Sequence, residues 1–263
     1  MSRAGPRISA HQKGHLAISS EAPYSPDTFR PRYVSAHFRA NLVSILLLVD
    51  VLLHVAALLL SIIELLFPNL TPTGEEITQP EVLVVALLEI GLAVFEVLLY
   101  IATVVAFLLW LYRSHENLPS FGVRKNTLQY SSGWAVGSFF VPFVTLVVPY
   151  RAIKELWSKS VPHAADLFPH PSPPAFFPLW WAAWLINNFV GQAYLRLSWG
   201  EKLSPEASAL FGAVTAVLNI LAAILAIMVV REIDRQQLES AKLIPNEMLS
   251  PGLPPPPPVL GTT

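Results

Sequence analysis

Two apolar stretches carry ionisable side chains at helical spacing. Asp50, His54, Ala57, Ser61 and Glu64 follow one another at steps of four and three residues, and Glu89, Ala93, Glu96, Tyr100 and Thr103 repeat that spacing. Residues three and four apart share a helix face, so each stretch sets one polar, small face among leucines and valines. An aspartate in hydrocarbon costs ~2.5–3.5 kcal/mol on insertion scales, which turns such faces toward each other or toward a wet cavity. At ~1.5 Å per residue, His54 and Glu96 fall within about a turn of the same depth. A His–carboxylate pair there could relay a proton or hold a cation, and Asp50, one turn from His54, adds to it. Asp50, His54 and Glu96 are therefore the candidate intramembrane polar site. The plain alternative, that they only glue helices together, is the commoner role of such residues. One histidine and two acids make a sparse first shell, so no metal is expected.

Other polar residues read as packing. Ser208, Gly212, Thr215, Asn219, Ala222 and Ala226 share one face of the last apolar stretch, where small residues allow close backbone approach and Asn219 can bond across an interface. Asn187, Asn188 and Gly191 are its natural neighbours. His11 and His15 sit in a polar arm where a lone pair rarely holds metal. Asn69-Leu70-Thr71 fits a glycosylation acceptor. No serine-nucleophile motif, phosphate-cradling loop or His-containing metal motif is present, so neither enzymatic activity nor a cofactor is expected. Absence of cysteine removes thiolate chemistry. A net charge of -1 argues against nucleic acid as a partner.

The elements that must position these residues are membrane helices. With 53% hydrophobic and 13% charged residues and mean hydropathy +0.51, the chain has about half the charge of an ordinary soluble domain. Leu42–Phe67 reads as a first span. Val82–Tyr112 reads as a second, long enough to tilt or project beyond a ~30 Å hydrocarbon core. Ala175–Leu195 and Glu206–Val230 are two more, and Arg231–Leu243 is a polar helical extension. Between the second and third spans, the tract 133–150 is apolar but holds Pro142 and Pro149, each of which removes a backbone hydrogen bond that hydrocarbon cannot replace. The expectation is an all-α integral membrane protein: four transmembrane helices plus a Pro-broken element that re-enters, or spans as a fifth. Residues 1–36 read as a disordered cytoplasmic arm, 37–243 as the polytopic helical domain and 244–263 as a Pro-rich disordered tail. No signal peptide is visible in the polar first forty residues. A re-entrant tract places 15 Lys and Arg on one side and only Arg196 and Lys202 on the other, so both termini are expected in the cytoplasm.

Trp110, Trp134, Trp157, Trp180, Trp181 and Trp184 gather near the inner ends and read as an aromatic belt. Arg151–Ser158 is expected to lie along the inner surface as a short helix, with Arg151 paired to Glu155, Arg113 nearby, and Ile153 and Trp157 in the headgroup layer.

The middle of the chain carries a specific pattern. It runs Trp110-Leu111-Tyr112-Arg113-Ser114-His115-Glu116-Asn117-Leu118, then Gly133-Trp134-Ala135-Val136-Gly137, Phe140-Val141-Pro142-Phe143, Pro149-Tyr150-Arg151 and Glu155-Leu156-Trp157, then Trp180-Trp181. Over roughly residues 40–235 it resembles the bacterial membrane proteins of domain-of-unknown-function family 4328, although Ser131-Ser132 stands where Ser-Pro is more usual. The resemblance implies a multi-pass protein of the bacterial inner (plasma) membrane and brings no activity with it. Two functions are carried forward: a non-enzymatic scaffold or regulatory module that holds a membrane or cytoplasmic protein partner in the lipid bilayer, and a small transporter or channel subunit using Asp50, His54 and Glu96. Polar residues converging from three or more elements would favour the second.

Overall fold

A computed structural model describes residues 32–67, 80–160, 172–198 and 203–243. The described residues are all-helical, with no strand among them. They form α1 (His37–Leu66), α2 (Pro80–Glu116), α3 (Ser132–Gly137), α4 (Val148–Lys159), α5 (Phe176–Ser198) and α6 (Pro205–Lys242), with short 3-10 turns linking α2 to α4. Most of the expected arm, the glycosylation pattern and the proline-rich tail lie outside the described residues, as do His11, His15 and the side chain of Glu89.

Three helices, over His37–Leu66, Ile90–Phe121 and Glu206–Lys242, are long and apolar enough to cross a membrane. The expectation of four such helices is corrected to three. At 23 residues, or ~35 Å, α5 has the length. Its composition differs, because Trp180, Trp181, Trp184, Asn187, Asn188 and Gln192 dilute its apolar residues. The last span and its expected polar helical extension form one continuous helix: α6 has 38 residues, started by Pro205 and a Ser204 side chain that accepts from the Ala207 N–H.

The Pro-broken tract doubles back on itself. Ser131 caps α3 by accepting from the Trp134 N–H, and α3 runs into a 3-10 turn over Ser138–Phe140. The chain reverses at Pro142-Phe143, where Phe143 holds φ 62, a conformation bulky residues avoid. Pro149 then sits in the first turn of α4, where its missing N–H costs nothing. Both feet of the tract meet at the C-terminal end of α2. Glu155 on α4 accepts from the N–H groups of Gln129 (2.6 Å) and Tyr130 (3.1 Å), while Ser132 donates to Glu116 at 2.5 Å. Further along, the Phe139 ring lies 5.9 Å from that of Phe107, nine residues before Glu116, or ~14 Å along α2.

The densest packing lies at this end, the base of the bundle, where α1 begins, α2 ends, α5 begins and α6 ends. Trp110, Leu111, Leu118, Ile153, Leu156 and Ile233 are fully buried there. Gln237 donates to the Ser114 carbonyl (3.0 Å) and the Ser160 hydroxyl (3.1 Å) and accepts from the Asn117 amide (3.3 Å). The pair His37–Asp234, at 2.6 Å, and the Arg231 to Asn41 bond, at 2.8 Å, tie α1 to α6. Residues 32–36, expected in the arm, belong to this base: Ala36 is buried, the Tyr33 ring lies tilted 5.7 Å from that of Phe121, and the Val34 N–H donates to Asn117.

Two expectations fail here for one reason. The face Pro149, Ala152, Ile153, Leu156 and Trp157 of α4 packs into the base core and is not offered to lipid headgroups. The tryptophans do gather at one end, but Trp110, Trp157, Trp180 and Trp181 are buried as core, and Trp134 is exposed. Buried apolar area at the base outweighs the interfacial preference of these rings. The expected Arg151–Glu155 pair is replaced by the backbone bonds to Glu155. Arg113 donates instead to the Val34 carbonyl, at 3.3 Å.

Candidate functional site

Above the base, a cavity of ≈ 300 Å³ opens between the helices. Asp50 reaches it from α1, Tyr100 and Thr103 from α2, Asn187 and Asn188 from α5, and Asn219 from α6; Phe139, Phe140, Trp180 and Trp184 complete its wall. The polar residues share a depth. His37 and Asp234 are paired and mark one level; Asp50 lies ~20 Å above His37 along α1, and Asn219 ~23 Å above Asp234 along α6.

Local bonds orient these side chains. Thr103 donates to the Leu99 carbonyl at 2.8 Å, and Asn188 to the Trp184 carbonyl at 2.8 Å. Asn219 donates to the Thr215 carbonyl at 3.0 Å, which fixes its amide so that its oxygen accepts from Asn187 at 2.7 Å. This is the cross-helix bond expected of Asn219. The small face of α6 also does what its composition implies: a Cβ on Gly212 would come 3.1 Å from the Ser61 hydroxyl, so α1 and α6 approach closely there.

Of the three residues expected to form the polar site, the structure brings two together. The Nδ1–H of His54 donates to the Asp50 carbonyl at 2.9 Å and lies 3.5 Å from the Asp50 carboxylate. Glu96 is exposed and does not line the cavity. The expected His54–Glu96 contact is not made, because His54 satisfies its ring N–H within its own helix. No three His, Asp or Glu side chains among the described residues are grouped as a metal cage. What the sequence left unjoined is the meeting of Asp50 with Thr103, Asn188 and Asn219; their common distance from the helix ends was the available signal.

A family model, that of a domain of unknown function (DUF4328), matches residues 75–235. The chain belongs to that family. The DUF4328 segment begins after α1 and ends within α6, so it supplies the whole cavity wall except Leu47 and Asp50. No curated protein and no solved structure matches the chain. The DUF4328 motif residues fall into two groups. Trp110, Asn117, Pro149, Trp157, Trp180 and Trp181 are buried, with Glu155 holding the tract's feet. Tyr112, Trp134, Phe140, Pro142 and Arg151 are exposed, Gly133 and Gly137 have open space where a Cβ would stand, and Tyr150 and Arg113 are half-buried.

Proposed function

We propose that the chain admits a small polar solute to a cavity at mid-membrane, as a small transporter or channel subunit. The observation that carries this reading is the convergence of Asp50, Thr103, Asn187 and Asn219, one from each of four helices, on one cavity. A protein that used these residues only to glue helices would bury them in a dry interface. The reading includes α5 as a fourth crossing: its polar residues face α6 through Asn187–Asn219, and Tyr194 stacks on Phe211 at 5.9 Å near the far end. It takes the doubled-back tract as re-entrant, reaching ~14 Å in from the base beside α2. The excess of Lys and Arg assigns the base to the cytoplasmic side of a plasma membrane. No catalytic step is invoked. A scaffold is the second reading, favoured by the exposed Arg124, Lys125, Arg151 and Lys154 around the base, a surface suited to a cytoplasmic protein partner.

The chain has no cysteine, so single cysteines report on water directly. In native membranes, Thr103→Cys should react with a neutral, water-soluble thiosulfonate, because a wet cavity lets the thiol ionise. Leu88→Cys, on an exposed apolar part of α2, should stay inert. Equal inertness of both would refute a solute-accessible cavity.

A further inference from the structure

Resting on the reading that solute enters the cavity, the lining itself specifies the kind of solute. We propose that the cavity binds a small organic cation, a monoamine in its ammonium form. Among the described residues, Asp50 is the one charged side chain in the wall, and no lysine, arginine or histidine lines it. His54, its partner on the same helix, leaves the carboxylate uncommitted. His54 spends its Nδ1–H on the Asp50 backbone carbonyl at 2.9 Å and leaves the nearer carboxylate oxygen at 3.5 Å, longer than a good hydrogen bond.

The neutral polar groups lean the same way. Thr103 has one donor, already given to the Leu99 carbonyl, so its hydroxyl oxygen can only accept. Asn187, Asn188 and Asn219 each commit an N–H to a neighbour within the bundle. Backbone carbonyls, which accept only, anchor Asn188 and Asn219, and the Asn219 amide oxygen anchors Asn187. Among the described residues no donor is recorded for the amide oxygens of Asn187 and Asn188, which remain as acceptors. Each amide keeps a second N–H and Tyr100 a hydroxyl, so the carboxylate is what sets the sign of the ligand: it suits one that is positive and carries N–H groups, and suits an anion badly. Trp180, Trp184 and Phe139 make the rest of this part of the wall aromatic, a lining that a cation tolerates better than an anion does. The volume, ≈ 300 Å³, stands at the lower end of the ~300–1,000 Å³ range of ligand pockets, which fits a small amine.

The test uses the full chain bearing Thr103→Cys in native membrane vesicles, with n-butylammonium as probe and 1-pentanol and pentanoate as neutral and anionic controls of similar size. Butylammonium at about ten times its Kd should slow thiosulfonate modification of the cysteine about tenfold, because only about one cavity in eleven is then empty. Pentanol and pentanoate should not. Adding Asp50→Asn, close in shape, should abolish the protection, read as the ratio of the rates with and without probe in that same variant; Asp50→Glu should keep part of it and guards against a folding defect. A cysteine that reacts but is not protected by butylammonium, or is protected equally by pentanol, overturns the cation assignment and leaves the open cavity standing. Protection that survives Asp50→Asn overturns it as well. A cysteine that never reacts overturns both.

Discussion

Glu155 offers the sharpest test of how the broken tract is held. Its two carboxylate oxygens accept from the N–H groups of Gln129 at 2.6 Å and Tyr130 at 3.1 Å, so one side chain joins the exit of the tract to its entrance. A hydrogen bond to a charged group contributes ~1.5–3 kcal/mol net, toward the lower figure where water competes. Gln129 is exposed, whereas Tyr130 is buried, so Glu155→Ala should cost about 2–3 kcal/mol in total. Glu155→Gln keeps one acceptor but turns an NH₂ toward the second N–H, and should cost about 1–2 kcal/mol. Arg151→Ala is the control. The helical spacing of Arg151 and Glu155 suggests an ion pair, but the carboxylate bonds to backbone instead, so this change should stay within about ±0.5 kcal/mol, as surface substitutions do. The assay is reversible unfolding of the purified protein in mixed micelles by rising denaturing detergent, followed by far-UV circular dichroism. A Glu155→Ala cost below about 0.5 kcal/mol, or an equal cost from Arg151→Ala, would refute the backbone clamp.

Gly212→Ala places a Cβ 3.1 Å from the Ser61 hydroxyl and should destabilise by about 1 kcal/mol in the same assay. Adding Ser61→Ala should recover most of that loss, and a double variant no better than the single would remove the close α1–α6 contact from the account. Gln237→Leu strips partners from Ser114, Ser160 and Asn117 at once and should cost about 2–3 kcal/mol; a neutral outcome on thermal unfolding would mean that the base network adds nothing. For topology, Lys125→Cys and Glu239→Cys, both well exposed at the base, should be silent to an impermeant thiol reagent outside intact cells, whereas Thr73→Cys and Lys202→Cys should react. Labelling at position 125 or 239 from outside would overturn the cytoplasmic base. Ser120, Ser160 and Ser240 are unsuitable sites, since all three are buried.

What the sequence made legible follows from what its patterns measure. Helices α1, α2 and α6 are long apolar runs, and length with apolarity is a local property. The break at Pro142 and Pro149 was likewise local, because a missing N–H acts where it stands. The Asn219–Asn187 bond was legible because small and polar residues shared one face of α6. The identity of neighbours was not legible. His54 and Glu96 stood at matched depth, yet depth fixes only one coordinate, and rotation of each helix about its axis decides contact. Amphipathic α4 shows the same ambiguity: an apolar face of Ile153, Leu156 and Trp157 has one pattern whether it meets headgroups or a protein core. Only the placement of Trp110, Phe177 and Ile233 across from it settles which.

The two halves of the bundle are built on different physics, and the broken tract couples them. Below Ala226, α6 contributes Val229, Val230, Ile233 and Gln237, all buried, to a densely packed core. Above it, the same helix contributes Gly212, Thr215, Asn219 and Ala222, residues that pack backbones closely and leave room between side chains. Stability therefore resides at the base and the opening resides above it. The tract is fixed at its feet by Glu116 and Glu155 in the first region, and its Phe139 meets Phe107, Trp181 and Trp184 in the second, at ring distances of 5.9, 6.4 and 6.5 Å. Because Phe139 and Phe140 are part of the cavity wall, the position of that wall depends on contacts made ~14 Å away at the feet. The backbone at the turn is strained at Phe143, and strain of this kind persists only where surrounding contacts hold it. Those contacts are the clamp below and the aromatic cluster beside it, so the polar network of the base is as much a part of the cavity's architecture as the residues that line it.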